Sequence, residues 1–382
     1  MNYLLVDLYN DFQCIAEKCP DTCCAGWNVF IDEETYEKME AQEEALGIAA
    51  EDWIINKDGC RSVKMDSSMR CPMLEENKLC RVVRKLGPEY LSKTCKFYPR
   101  NQKRYGSVIE GHLVLSCPEV VSRLMDKSEL EFDFIEGNEA SGQTAYQYEQ
   151  LYSFEAAVRI GMVEIFQHPS AVSLQVRAAA AFELLEEAVR MYRDGQTDVE
   201  MFRKKADWYL EGGRLHNMDL GLERINNRDS RYHFRRWVQM LLDKNNCSRR
   251  FIEMICQMNQ YFSENSPERY ASDEQKFQTV QSGYYDFHLR YWVYRIFSEL
   301  IVIPDFDKAK EKFMSIAAGF CVIQSMAQAA YAKKGILERD EYIYIISNMS
   351  RKLEHNKVFL TNFNIELEKK GVNSLAGLLL LV

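Results

Sequence analysis

The chain has 382 residues, of which 47% are hydrophobic and 27% charged. It is too long for one growing hydrophobic core, and too apolar for the disordered, collagen-like or small disulfide-stapled classes. Its 48 basic and 57 acidic side chains leave a formal charge of −9, which argues against nonspecific nucleic-acid binding as its main activity.

In chain order, the opening run MNYLLVDLYNDFQC has only a short apolar stretch, carries Asp7 and follows no basic region, so it does not resemble a secretory leader. No segment offers roughly eighteen consecutive apolar residues, and the Leu378–Val382 end is too short to span a bilayer. A cytoplasmic location with no membrane contact is therefore expected. Residues 1–30 read as extended and loop-like, dominated by Cys14, Cys19, Cys23 and Cys24 with Gly26 and Trp27 close behind. Residues 33–45 are good helix formers, and Asp32 before them suits an N-cap. From Asp58 to Arg104 the punctuation by Gly59, Pro72, Gly87, Pro88 and Pro99 predicts short turns around cysteines. Residues 106–117 alternate like a strand, and Pro118-Glu119 opens a helix through Met125.

Beyond about residue 130 the texture becomes helical. Residues 146–193 carry a long helical pattern broken near Pro169, and further runs cover 199–210, 232–244, 249–262, 285–302, 308–333, 339–354 and 356–369, interrupted only by Pro267 and Pro304. The expected fold is mainly α: a turn-rich, metal-binding lobe with little β over residues 1–130, followed by an all-α lobe over 131–382. A monomer is expected.

Nine of the twelve cysteines fall within the first 117 residues. In a reducing compartment, thiols gathered in this way point to metal ligation or catalysis before disulfides, and their softness selects zinc, iron–sulfur or copper(I). The spacing is Cys14-x4-Cys19-x3-Cys23-Cys24, then Cys60, Cys71, Cys80, Cys95 and Cys117; no CxxC occurs, so a two-knuckle zinc ribbon is not indicated. Adjacent side chains diverge, so Cys23 and Cys24 are not expected to share one metal ion. Cys247, Cys256 and Cys321 read as buried core residues. Charge is segregated as well: residues 32–58 carry ten acidic and two basic side chains, whereas 78–104 carry nine basic and one acidic. That basic stretch spans Cys80 and Cys95 and could offset thiolate charge or attract an anionic ligand group.

The strings CIAEKCPDTCCAGWNVFID, RCPMLEENKLCRVVRKLGPEYLSKTCKFYPR and HLVLSCPEVVSRLM closely resemble the flagellin lysine-N-methylase family of bacteria, part of a wider set with a CxxxCC zinc- or iron-chelating cluster. LRYWVYRIFSELIVIPD and LEHNKVFL look like that family's helical C-terminal region. The resemblance implies methyl transfer from S-adenosylmethionine to lysine side chains of flagellin, dependent on an iron–sulfur cluster of the 4Fe–4S type, with zinc as the alternative metal. It carries the metal motif onto Cys14, Cys19, Cys23, Cys24, Cys71, Cys80, Cys95 and Cys117. Position in the turn-rich segments near the basic stretch favours Cys19, one of Cys23 and Cys24, Cys80 and Cys95.

No glycine-rich loop of the dinucleotide-binding type is present, so S-adenosylmethionine would need a different site. Arg81, Arg84 and Arg100 are candidates to hold its carboxylate, and Trp27 could cover the cluster; the cluster could take part in binding or only staple the fold. Free lysine titrates near 10.4, so transfer to its amine needs desolvation or a base. Glu119 and Tyr98 are the leading candidates, with His112 and Asp286 behind them. The aromatic run from Tyr284 to Tyr294 could cage a methylated ammonium, although core packing explains it better. The rival reading is a noncatalytic zinc- or iron-binding module that docks a protein through its helical lobe.

Overall fold

Asn2–Val6 (β1) finds its partners far along the chain. The computed structural model describes residues 2–57, 59–136, 146–222, 228–300, 305–372 and 374–382. The other strands among them are β2 (Ile54–Lys57), β3 (Cys60–Val63), β4 (Arg100–Tyr105), β5 (Val108–Leu113) and β6 (Phe132–Ile135). One sheet runs β4-β5-β1-β6, with β1 parallel to β5 from Asn2 opposite Val108 to Leu5 opposite Gly111; β2 and β3 form a separate hairpin. The loop-like reading of residues 1–30 therefore missed a strand, whose partner lies about a hundred residues downstream.

The cysteine-rich end carries only short helices: α1 (Leu8–Asp11), α2 (Glu33–Glu40), α3 (Glu43–Leu46), α4 (Ala50–Trp53), α5 (Arg81–Leu86) and α6 (Lys93–Phe97), before α7 (Pro118–Asp126). As its position suggested, Asp32 caps α2, accepting the Thr35 N–H at 3.3 Å. The rest is helical: α8 (Tyr146–Gln167), α9 (Leu174–Arg193), α10 (Val199–Leu210), α11 (Arg214–Leu222), α12 (Arg228–Met240), α13 (Arg249–Glu264), α14 (Pro267–Ser282), α15 (Tyr285–Glu299), α16 (Ala309–Lys334), α17 (Arg339–Glu354), α18 (Lys357–Lys369) and α19 (Leu375–Leu381). The mainly α class is thus what the structure shows. Pro267 is not an interruption: it opens α14 behind the Ser266 cap, where its missing N–H costs nothing. Asp58 and residues 301–304, with Pro304, lie outside the described residues.

Two apolar cores organise the chain. The larger gathers Leu5, Val6, Leu113, Val120 and Leu124 with the inner faces of α8–α19; the smaller holds Trp27, Val29, Trp53, Met73 and Val82, with Cys71, Cys80 and Cys95 packed on it. Tyr98 packs on both. The sheet is locked to the helices by a buried ion pair, Arg159 to Glu110 at 2.5 Å, and by Tyr294, whose hydroxyl accepts the Leu113 N–H at 2.9 Å.

The segment Phe306–Lys334, containing α16, is long and apolar enough to cross a membrane, but its apolar stretch is entirely buried, as a core helix requires. Cys247 and Cys321 are buried as expected, whereas Cys256 is exposed. The buried stripe of α13 is Phe251, Met254, Ile255, Met258 and Phe262, and helical periodicity turns position 256 away from it. The aromatic run from Tyr284 is partly buried at its start and core from Phe287 onward, where Trp292 stacks on Phe166 with ring centroids 5.3 Å apart.

Candidate active site

The segment Asp21–Trp27 lies against the end of α17. Arg351, buried, donates to Asp21 Oδ2 at 3.2 Å, to the Ala25 carbonyl at 3.3 Å and to the Ser116 carbonyl at 3.3 Å. Gly26 has φ +79°, a left-handed backbone that favours glycine, and it packs against the Arg351 side chain. The Trp27 indole N–H donates to the Cys23 carbonyl at 2.7 Å, and the Cys71 N–H donates to the Cys24 carbonyl at 2.8 Å. These bonds bring the CxxxCC segment beside the later cysteines.

The thiols act on one another. Burial pushes Cys71 up to about 12, and the nearby Cys80, Cys95 and Cys23 raise it further. Burial likewise lifts Cys95 to about 11, with Cys23 and Cys80 adding to the effect, and raises Cys80. Cys23 exposes part of its surface, yet its thiol is raised by a hydrogen bond with Cys24 and then by the protein packed around the sulfur. Cys19 is raised by burial to about 11, and its sulfur neighbours are Cys23 and Cys14; buried Cys117, also raised by burial, to about 12, feels Cys19 and Cys23. Among the described residues no three His, Cys, Asp or Glu side chains converge on one ion position. A four-iron cluster takes one thiolate per iron and needs its donors spread more widely than a single ion does. Soft donors in one another's field, each costly to ionise without a cation nearby, fit such a group.

Beside these thiols lies a cavity of about 640 Å³, lined by Gly26, Trp27 and Phe30 on the cysteine side and by Asp243, Asn245, Asn246 and the Arg351–Phe359 segment on the helical side. Trp27 packs on the His355 ring at 4.4 Å and on Tyr98 at 5.5 Å. A polar chain runs behind this wall: Tyr98 hydroxyl to Ser116 Oγ at 3.3 Å, Ser116 Oγ to His355 Nε2 at 2.8 Å, and Ser116 N–H to Glu354 Oε2 at 3.2 Å. Burial lowers His355 to about 4, which keeps it neutral at physiological pH. Lys352, buried in the wall, donates to Asp243 Oδ1 and the Asn245 carbonyl, both at 2.5 Å.

The structure therefore brings Trp27 and Tyr98 to one wall, with Trp27 lining the cavity itself. Elsewhere, Glu119 receives Arg123 at 2.7 Å, Arg84 and Arg81 both pair with Glu75, and Arg100 donates to the Phe12 carbonyl at 2.9 Å. His112 is buried and lowered by that burial to about 4. Sequence reasoning attached no role to Arg351, Glu354 or Asp243. The string LEHNKVFL was the available signal, since it holds Glu354, His355 and Phe359.

Comparison with known proteins places this architecture. A model of the FliB lysine N-methylase C-terminal domain matches residues 159–381, more than half of the chain. The chain belongs to the FliB lysine N-methylase family. The lysine-N-methylase of Salmonella choleraesuis (strain SC-B67) is 36% identical over 121 residues, 30% of either chain. The FliB-type chain described here is also 37% identical over 121 residues to the flagellar biosynthetic protein FliU of Salmonella muenchen, covering 30% of this chain and 72% of FliU. The lysine-N-methylase of Salmonella typhimurium (strain LT2) matches at 36% over 121 residues and, like its choleraesuis counterpart, is spanned over only 30% of its length. No solved structure matches.

Proposed function

We propose that this protein transfers methyl groups from S-adenosylmethionine to the ε-amino groups of flagellin lysines in the cytoplasm, with an iron–sulfur cluster held by Cys23, Cys71, Cys80 and Cys95. The observation that carries this reading is the cavity of about 640 Å³ between Trp27 and the end of α17. Its size falls within the usual range of small-molecule sites. Trp27 ties it to the thiols through the Cys23 carbonyl.

The lining suits a cationic donor and a cationic acceptor. The Trp27 and Phe359 rings offer faces to a sulfonium or ammonium, and Glu354 offers a carboxylate to the acceptor ammonium. Arg351 and Lys352, paired with Asp21 and Asp243, fix the helical side of the cavity. A bound cluster would be held by Cys23, Cys71, Cys80 and Cys95, would supply iron beside the cavity and would cross-link the cysteine segments. The protein's own residues align donor and amine and exclude water, so that the amine lone pair attacks the methyl carbon in line with the departing sulfur. The C–N bond forms as the C–S bond breaks, and the sulfonium leaves as a neutral thioether.

The test is direct. Anaerobically reconstituted protein incubated with S-adenosylmethionine and its own organism's flagellin should add mass in steps of one methylene, localised to lysines by peptide mass spectrometry. No mass gain with brown, sulfide-containing holoprotein would defeat the enzyme reading. Colourless protein with stoichiometric zinc would defeat the cluster.

A further inference from the structure

We infer that Glu354 is the proton acceptor that neutralises the substrate ammonium, and that Glu299 is the positioning residue that holds it ready; this rests on the methyl-transfer reading above. α17 carries Glu354 into the cavity wall, while α15 carries Arg295 and Glu299 behind it. Arg295 Nη1 stands 2.8 Å from Glu354 Oε1 and 3.9 Å from Glu299 Oε1, and the Glu354 side chain is only 7% exposed. One guanidinium thus serves two carboxylates in a buried place, so the pair readily accepts one further proton.

The surroundings decide which partner takes it. Glu299 is held in its charged form, against its own burial, by Arg295 and then by Lys312 and Lys103. Glu354 is raised to about 7, first by burial, against the pull of Arg295, and further by Glu299. The other charged groups near it are committed: Arg351 to Asp21 and Lys352 to Asp243. His355 is neutral and bonded to Ser116. Glu354 accepts one bond on each oxygen, from Arg295 and from the Ser116 N–H, and a carboxylate has about four acceptor positions. Capacity therefore remains for an ammonium, directly or through one water.

The step balances. The ammonium gives its proton to Glu354, which becomes the neutral acid. The free amine takes the methyl group, and the sulfonium charge passes to the methylated ammonium. Glu354 then returns its proton to solvent before a second methyl can be added.

Glu354→Gln keeps the shape and loses the base. At pH 7 its kcat should fall about 100-fold or more, while S-adenosylmethionine affinity by calorimetry stays within about twofold. Wild-type kcat should rise through an acid limb near pH 7, and the variant's rate should climb only toward the amine's own range. Glu299→Gln removes the negative neighbour and should move the wild-type limb to lower pH, which a merely structural role would not do. Infrared difference spectra should show a carboxylic-acid band that titrates near pH 7 in wild type and is absent in Glu354→Gln. Should Glu354→Gln not fold, Glu299→Gln and the wild-type infrared titration decide. An active wild type with an unimpaired Glu354→Gln, an unmoved limb in Glu299→Gln, or no band titrating near pH 7 in wild type overturns the inference alone. A wild type that transfers no methyl at any pH overturns the reading beneath it.

Discussion

At the residue scale the cysteines separate by neighbourhood rather than by motif. The sequence favoured Cys19, one of the Cys23/Cys24 pair, Cys80 and Cys95, all near the basic stretch. In the structure the thiol in the shared field of Cys23, Cys80 and Cys95 is Cys71, while Cys19 faces Cys23 and Cys14. A serine hydroxyl does not ionise near neutral pH and is a poor ligand for soft metals. Cys71→Ser, Cys80→Ser and Cys95→Ser should therefore each lose most of the iron and acid-labile sulfide per chain, and Cys19→Ser should retain more. Cys256→Ser, on the exposed face of α13, should change neither. Full metal content in both Cys80→Ser and Cys95→Ser would reject this ligand set. The nine basic residues of the 78–104 stretch were legible as a cluster, but not in their use. Arg81 and Arg84 bind Glu75, Lys85 binds the Ala45 carbonyl and Arg100 binds the Phe12 carbonyl. Composition counts charges; only packing reveals which ones are already engaged.

At the element scale, side-chain caps mark helix starts, but the sequence makes them legible unevenly: the helices behind Asp32, Asp198 and Ser248 are found, and α14, behind Ser266, is missed because Pro267 reads as an interruption. Asp32, Asp198, Ser248 and Ser266 each accept a backbone N–H in the first turn. The strands were harder, because β1 owes its existence to β5 and no local window contains both. The placement of the site depends on how α17 seats on α16. Gly319 of α16 faces Leu353, and a Cβ at 319 would stand 2.7 Å from Leu353 Cδ1. Gly319→Val should cost about 1–3 kcal/mol by overpacking, read as a lower urea midpoint at unchanged m. It should also disturb the adjacent Glu354 and His355. Adding Leu353→Ala should recover part of the loss, and an unchanged midpoint in Gly319→Val would show that α17 sits more loosely than the packing indicates.

At the scale of the whole molecule, buried histidines tie stability to pH. His288, His112 and His355 are lowered by burial from 6.5 to about 3, 4 and 4. Above pH 6.5 they are neutral folded or unfolded. Below it the unfolded chain binds protons that the fold refuses, so stability falls as pH drops toward about 4, by about 1.4 kcal/mol per pH unit for each histidine. Glu354 works the other way: its folded form binds a proton between 4.5 and about 7, offsetting about one histidine's share. A net loss remains. Urea unfolding from pH 7 to 4 should show it, and His288→Gln should flatten the slope. An equal slope in that variant would remove His288 from the account.

Local pattern by itself determined the mainly α class, most helix boundaries after residue 146, the cysteine-rich start and the likeness to a methylase family. Each of these rests on periodicity, capping or spacing within a short stretch of chain. Only the tertiary structure decided that β1 and residues 113–124 share a core with the helices, that Tyr98 packs on both cores, and that Trp27 faces His355 across more than three hundred residues. The same packing set Glu354 beside Arg295 and Glu299 at the cavity wall. Burial and electrostatic coupling depend on which distant atoms exclude water from a group, and no spacing along the chain encodes that.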